Sequence, residues 1–353
     1  MITYRFNGDL TAAPAPRSAL CDELRNDLSH LTGQSIKVSR DTDHEDWTEA
    51  ALQLREVLMS GMETEVHWSS GGKVRSALVP GTACGSAVMG VIKGQEDAAD
   101  DLSWPIPENG EAARYAQTST FRRYAGRRVV ACDMPGEPAP RNAQASAEAM
   151  SLVDALTLFE GRSPVVKQVL PIKAMPLRFL GELRKGEAAV AAHSVFADDP
   201  YHVALYEGEP CALLVQDEVP MSYETRYFIV NGVPVSGAGC VKAHTPLDRD
   251  HSLVRGVTHC VFEKTRNDGR TVAVPEVGER LEAFVRRVST DLLTEKPDLT
   301  HVVIDVAIGR GGEPIVLEMN PYQNSGLYAN DPGAVFRPVL ELVGQGQNLT
   351  MTP

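Results

Sequence analysis

Two apolar runs, HVVIDVAI (301–308) and PIVLEMN (314–320), are separated by GRGGE. Both are short and rich in β-branched residues, and the glycines between them suit a tight turn, so the segment predicts an antiparallel hairpin. The hairpin carries acids inside strands otherwise fit for a core. Asp305 stands six residues before Gly311 and Glu318 six after Gly312, so the two are expected to face each other on neighbouring strands. Asn320 is two residues past Glu318 and therefore points to the same side.

Carboxylates this close repel unless something compensates them. A hard divalent cation would do so. A donor set made only of oxygens favours magnesium, with phosphate oxygens completing the shell. The alternative is that these acids are simply the solvent side of a half-covered sheet.

The remaining chain alternates helical and strand patterns in an α+β mixture. Residues 50–62 have apolar positions near helical spacing. EVHW and KVRSALV flank SSGG as a strand pair, and GSAVMGVI (85–92) and RRVVACD (127–133) read as further strands. PGEPAPRN (135–142) reads as a linker. Met150, Val153, Leu156, Leu158 and Phe159 form the apolar face of a helix that Gly161 can stop. PVVKQVLP and ALLVQDEV read as strands, and YFIVNGVPVSG as a hairpin turning at Asn231-Gly232. HCVFEK is strand-like. A helix over 277–293 carries one apolar stripe and ends before Pro297.

A chain of 353 residues suggests two or three domains. The six cysteines are scattered with no CxxC pair, which predicts reduced core thiols rather than a zinc or redox site. A net charge of −13 argues against a general nucleic-acid binder. There is no apolar run long enough to span a bilayer and no secretory leader pattern, so the expected location is the cytoplasm, without a membrane partner.

A strand Asp followed by Glu-x-Asn ending the next strand, here Asp305 and Glu318-Met319-Asn320, resembles the magnesium signature of the ATP-grasp superfamily. SPVVKQ resembles its phosphate-binding strand, LLVQDEVP the strand entering the adenine hinge, and YETRYFIVNGVPV the strand after it. The E-x-R-Y-F-I-V pattern is similar to an uncharacterised phage and bacterial branch of the superfamily. The likeness runs over about residues 142–332. It implies an α+β ATP-grasp fold in which two subdomains, 141–240 and 241–353, clamp ATP. A variable α/β domain, 1–140, would precede them and help bind the acceptor.

The resemblance also implies residue roles. Asp305, Glu318 and Asn320 would hold magnesium. Lys167, and Lys173 in the loop beyond it, would contact nucleotide phosphates. Backbone groups of Glu218 and Val219 would read the adenine edge, with Gln216 or Asp217 touching the exocyclic amine. Glu224 would serve the ribose or the magnesium side. Arg226 would meet the γ-phosphate or an acyl-phosphate, and Lys242 would be a further phosphate contact. Many family members carry an arginine two residues before the magnesium aspartate. Here Val303 holds that place, so the charge is expected from Arg226, Arg255 or Lys242. Asn324 and Ser325 fall in a loop that often holds the acceptor.

The activity implied is an ATP-dependent carboxylate–amine ligase acting on small-molecule or peptide substrates. A kinase, or a nucleotide-binding protein without catalysis, is the alternative. Homodimers are common in the resembled family.

Overall fold

The computed structural model describes residues 2–6, 9–15, 19–42, 44–80, 91–92, 115–133, 150–168, 177–197, 212–239, 259–260, 262–264, 271–297, 299–320, 322, 325–327 and 330–344. The linker expected at 135–142, most of the strand expected at 85–92, Lys173 and Lys242 lie outside them.

The first part of the chain contains β1 (Ile2–Phe6), β2 (Ala12–Pro14), α1 (Ala19–Thr32), β3 (Lys37–Ser39), α2 (His44–Met59), β4 (Thr64–Ser70), β5 (Lys73–Val79) and β6 (Val91–Ile92). Its main sheet has the order β1-β4-β5-β6, with β1 and β4 parallel and the expected β4–β5 hairpin antiparallel. A single turn at Tyr115–Gln117 and the short helix α3 (Ser119–Tyr124) follow.

The next group is β7 (Val129–Asp133), α4 (Leu152–Thr157), β8 (Pro164–Gln168), β9 (Arg178–Phe179), α5 (Ala188–Ala197) and β10 (Ala212–Asp217). Its sheet runs β7-β10-β8-β9, and α4 and α5 cover one face through Leu152, Leu156, Phe159, Val195, Leu213 and Val215.

The last group is β11 (Met221–Val230), β12 (Val233–Gly239), β13 (His259–Cys260), β14 (Phe262–Lys264), β15 (Thr271–Ala273), α6 (Pro275–Glu295), β16 (His301–Gly309), β17 (Pro314–Asn320) and α7 (Pro332–Gly344). Its five-stranded sheet has the order β13-β12-β11-β16-β17. Sheet membership does not follow residues 140 and 240. β7 pairs with β10, and β11 and β12 pair within the sheet that carries β16 and β17.

β16 is buried along His301–Ile308 because both of its faces are covered, which is why it reads as a nearly unbroken apolar run. On one face, Val302, Ile304, Val306 and Ile308 meet the α6 stripe Leu281, Phe284, Val285, Val288 and Leu292. On the other, Val303, Phe228 and Val230 share a core with α2, β4 and α7. The hairpin tip at Asn231 and Gly232 has φ of 49° and 72°, the left-handed pair that a two-residue strand turn requires. Ser289 Oγ of α6 donates to the Gly232 carbonyl at 2.8 Å and pins that tip.

The segment before β7 is fastened to α6 by charge. Glu295 at the end of α6 accepts from the backbone N–H groups of Ser119 and Thr120 at 2.7 and 2.9 Å and from Thr120 Oγ1 at 2.7 Å. A carboxylate thus satisfies the exposed donors at the start of α3. Tyr124 Oη and Arg123 both donate to Asp291 one turn earlier.

Partial burial alone would raise the Glu295 carboxyl. The hydrogen bonds from Thr120 and Ser119 outweigh it and pull the group down to about 2. A folded-state value below the ordinary one stabilises above the ordinary value and loses that contribution as acid titrates the group. We therefore expect the wild type to lose stability between about pH 4.5 and 2 partly through this group. Glu295→Gln should lack that component of the acid dependence in urea denaturation series, and identical pH slopes would refute the assignment.

Candidate functional site

The ladder of the last hairpin shows how Asp305 comes to face Glu318. Near the turn the partners are Ile308↔Pro314, Ala307↔Ile315 and Val306↔Val316. Continued regularly, that register would set Asp305 opposite Leu317 and send Glu318 to the α6 side. Instead Asp305 pairs with Glu318, because β17 bulges between these pairs and Leu317 is the extra residue. Leu317 packs with Ala307 and Ile315, and Glu318, the next residue, also lies on the side away from α6. The carboxylate pairing expected from the sequence is present, and a one-residue kink produces it.

A second kink lies on the other side of β16. Ser222 pairs with Ile308 and Thr225 with Val306, so Tyr223 and Glu224 together oppose Ala307. Tyr223 has φ +54°, uncommon for an aromatic residue. Beyond this bulge Arg226 pairs directly with Asp305.

Both carboxylates are compensated within the protein. Arg226 Nε and Nη2 donate to Asp305 Oδ1 and Oδ2 at 2.8 and 2.7 Å, a two-pronged bond, with side-chain exposures of 7% and 2%. Arg226 Nη1 reaches the Gly326 carbonyl at 3.0 Å. Lys167 Nζ, from β8 of the other sheet, donates to Glu318 Oε2 at 2.7 Å. Asn320 Nδ2 bridges the pair, 3.2 Å from Asp305 Oδ2 and 3.0 Å from Glu318 Oε1. Burial pushes the Asp305 carboxyl up, Arg226 pulls it down, and Glu318 pushes it up again. Glu224 is raised, first by burial and then by Asp305 and Glu318. Its two-residue spacing from Arg226 brings it near the same charges.

Among the described residues, no three His, Cys, Asp or Glu side chains cluster as a metal site. The convergent set is two carboxylates and an amide, all with oxygen donors to offer. That chemistry suits magnesium and disfavours zinc or copper.

Of the cations expected to stand in for an arginine at Val303, Arg226 lies opposite Asp305 on the neighbouring strand. Val303 itself is a buried core residue.

Three residues of the expected adenine segment have partners within the protein. Gln216 Oε1 accepts from Arg127 Nε and Nη2 at 3.1 and 2.8 Å, which occupies the acceptor an exocyclic amine would need. Asp217 turns outward to Arg162 at 3.0 Å and accepts from the Arg128 backbone N–H. The Glu218 N–H donates to the Ser163 carbonyl at 3.0 Å, so it is not available to a base edge. Val219 remains at the hinge, packed against Ala307, Ile315 and Leu317. Ser325 is buried beside Gly326. Asn324, Arg255, Lys173 and Lys242 lie outside the described residues.

Two residues of the site escaped sequence reasoning, and both belong to the segment before β7. The Tyr115 ring lies under Lys167 Nζ at 5.5 Å to the centroid. Its buried hydroxyl has no hydrogen-bond partner among the described residues. Burial and the nearby Glu318 push that phenol well above its ordinary range. Arg127 Nη1 donates to the carbonyls of Ala125 and Val316 at 2.7 and 2.8 Å, and Nη2 to that of Leu317 at 2.9 Å. Nothing in RRVVACD marks its first arginine as different from its second.

A family model for an ATP-grasp domain, family 3 of the R-two-K clade, matches residues 133–339, more than half of the chain. Among solved structures, a D-cycloserine synthetase, DcsG, aligns at 18% identity over 67% of this chain and 70% of that one, with a TM-score of 0.35. The D-alanine–D-alanine ligase from Coxiella burnetii aligns at 10% identity over 99% of this chain and 97% of that one, with a TM-score of 0.41. The ATP-grasp ligase PsnB with a minimal precursor aligns at 14% identity over 68% and 62%, with a TM-score of 0.28. These superpositions are too loose to add to the family match. No curated protein matches the chain.

Removing one member of the buried pair should be costly. Arg226→Met strands Asp305 without its partner, and we expect a loss of about 3–5 kcal/mol in urea denaturation. Adding Asp305→Leu should recover most of it. A single variant as stable as wild type would mean that the pair is not compensating a buried charge.

Proposed function

Because the chain belongs to this ATP-grasp family, we propose that it is an ATP-dependent carboxylate–amine ligase. It would form an amide or peptide bond through an acyl-phosphate, releasing ADP and phosphate. The observation that carries this reading is the meeting of Asp305, Glu318 and Asn320 on one sheet face with Lys167 reaching them from the other sheet.

Asp305, Glu318 and Asn320 would hold magnesium, which neutralises phosphate charge when bound. Lys167 would exchange its carboxylate partner for a nucleotide phosphate, as a point charge on a flexible stem can. The forked guanidinium of Arg226 suits a phosphoryl group, and Gly326 fixes the direction from which it approaches. Glu224, with its raised carboxyl, would serve the ribose or the magnesium side. Lys173 and Lys242 keep their proposed phosphate roles. Val219 is the remaining hinge residue for the base.

A substrate carboxylate oxygen would bond to the γ-phosphorus as the bond to ADP breaks. An amine would then form the C–N bond, lose a proton and expel phosphate. The protein supplies position and charge rather than a nucleophile. We place the nucleotide between the β8–β10 sheet and the β16–β17 hairpin. We assign acceptor binding to the N-terminal region, with small carboxylates, amines or peptides as substrates in the cytoplasm. No described helix is long and apolar enough to cross a membrane.

Calorimetry with magnesium and ATP tests the reading on wild type and Glu318→Ala. We expect binding that weakens at least about tenfold in the variant. ADP release should then require an added amine. Release without amine would indicate a kinase, and no binding by wild type would end the ATP-dependent reading.

A further inference from the structure

The kink at Leu317 places Glu318 on the face of Asp305, so something must hold it. A regular strand turns successive carbonyls to opposite edges, and β17, at the edge of its sheet, has a neighbouring strand on one side. At the bulge, the carbonyls of Val316 and Leu317 are both within reach of one guanidinium, at 2.8 and 2.9 Å from Arg127. A single side chain can serve both only where the strand is bent. The same guanidinium grips Gln216 Oε1 with Nε and Nη2 and the Ala125 carbonyl with Nη1. These five bonds match the five N–H donors of arginine. Lysine, with three donors at one point, has no such geometry.

The approach is built in at the preceding residue. Gly126 has φ +63°, and a Cβ there would stand 2.2 Å from Ile315 Cγ2 on β17. Only glycine lets the chain come close enough for Arg127 to enter. The base of this strap is fixed by Glu295 and Asp291 of α6. Arg127 precedes the family-matched residues 133–339 and comes from neither strand of the carboxylate hairpin.

We propose that Arg127 is a positioning residue: it braces the β17 bulge so that Glu318 faces Asp305, and ties that bulge to Gln216 on the strand entering the hinge. Its contribution to metal binding rests on the assignment of Asp305, Glu318 and Asn320 as ligands. The bracing itself does not.

Two measurements on the full chain test this. The first needs no nucleotide. Hydrogen exchange in Arg127→Met should show lost protection at the amides of residues 316–320, with α6 unchanged. Unaltered protection there would overturn the proposal. The second titrates magnesium into protein saturated with ADP. Arg127→Met should weaken magnesium about 10–100-fold, the range for residues that orient metal ligands. That loss should vanish in a Glu318→Gln background, because the brace acts through Glu318. Unchanged affinity, or an equal loss in both backgrounds, would refute it, since a general packing defect is additive. Arg127→Lys should not restore affinity. If Arg127→Met fails to fold, Gly126→Ala displaces the same guanidinium and should give the same local exchange signature. If wild type with ADP takes up no magnesium, the metal reading fails, and the exchange result alone decides the brace.

Discussion

Two carboxylates side by side in a covered sheet are the constraint around which this molecule is arranged. At about 4 Å, unit charges interact by about 4 kcal/mol even at the effective dielectric of a protein surface. Repulsion of that size is a large share of the stability of an ordinary domain. Each acid is therefore met by a cation from elsewhere. Arg226, 79 residues before Asp305, arrives from the adjacent strand, and Lys167, 151 residues before Glu318, arrives from the other sheet. The β7–β10 sheet cannot drift from the five-stranded sheet without exposing one of these charges. Of the two pairs, Lys167–Glu318 is the one that ties the sheets to each other.

The surrounding polar network is directional. Asn330, fully buried, donates to the Arg226 carbonyl at 3.2 Å and the Leu327 carbonyl at 2.9 Å and accepts from Ser236 at 2.7 Å. The loop that presents Gly326 to Arg226 is thus held by the backbone of the residue it contacts. Such closed circuits are costly to break piecemeal, because removing one partner leaves several buried groups unmatched. They suit a site whose cations must be aimed before a ligand arrives.

Much of this was legible in the sequence where the pattern is local. The Asn231-Gly232 and GRGGE hairpins follow from turn chemistry, and the α6 stripe from its period. The facing of Asp305 and Glu318 followed from symmetric spacing about Gly311 and Gly312, though for an incomplete reason. The ladder next to the turn would set Asp305 opposite Leu317, one residue short of Glu318, and the Leu317 bulge restores the pairing. The partners of Gln216, Asp217 and Glu218 could not be read, because local sequence does not say which groups are taken by arginines or by a neighbouring segment. Arg127 and Tyr115 were invisible for the same reason: their meaning lies in contacts far along the chain, such as that between Arg127 and Leu317, 190 residues apart. Of the three cations named for the place of the arginine expected at Val303, Arg226 is set against Asp305 by strand register.

The first helices and the last helix share one core. Tyr4, Leu24 and Trp47 lie in the same apolar cluster as Val335, Phe336 and Leu340 of α7, on the side of the five-stranded sheet away from α6, the side to which Asp305 also points. During synthesis the N-terminal sheet therefore emerges long before the helix that completes its packing, and it must wait for almost the entire chain. The N-terminal region is not free in shape. Any sequence placed there must present an apolar surface fitting Phe228, Val230, Val303 and α7, so large changes of side chain are confined to its loops and outward faces.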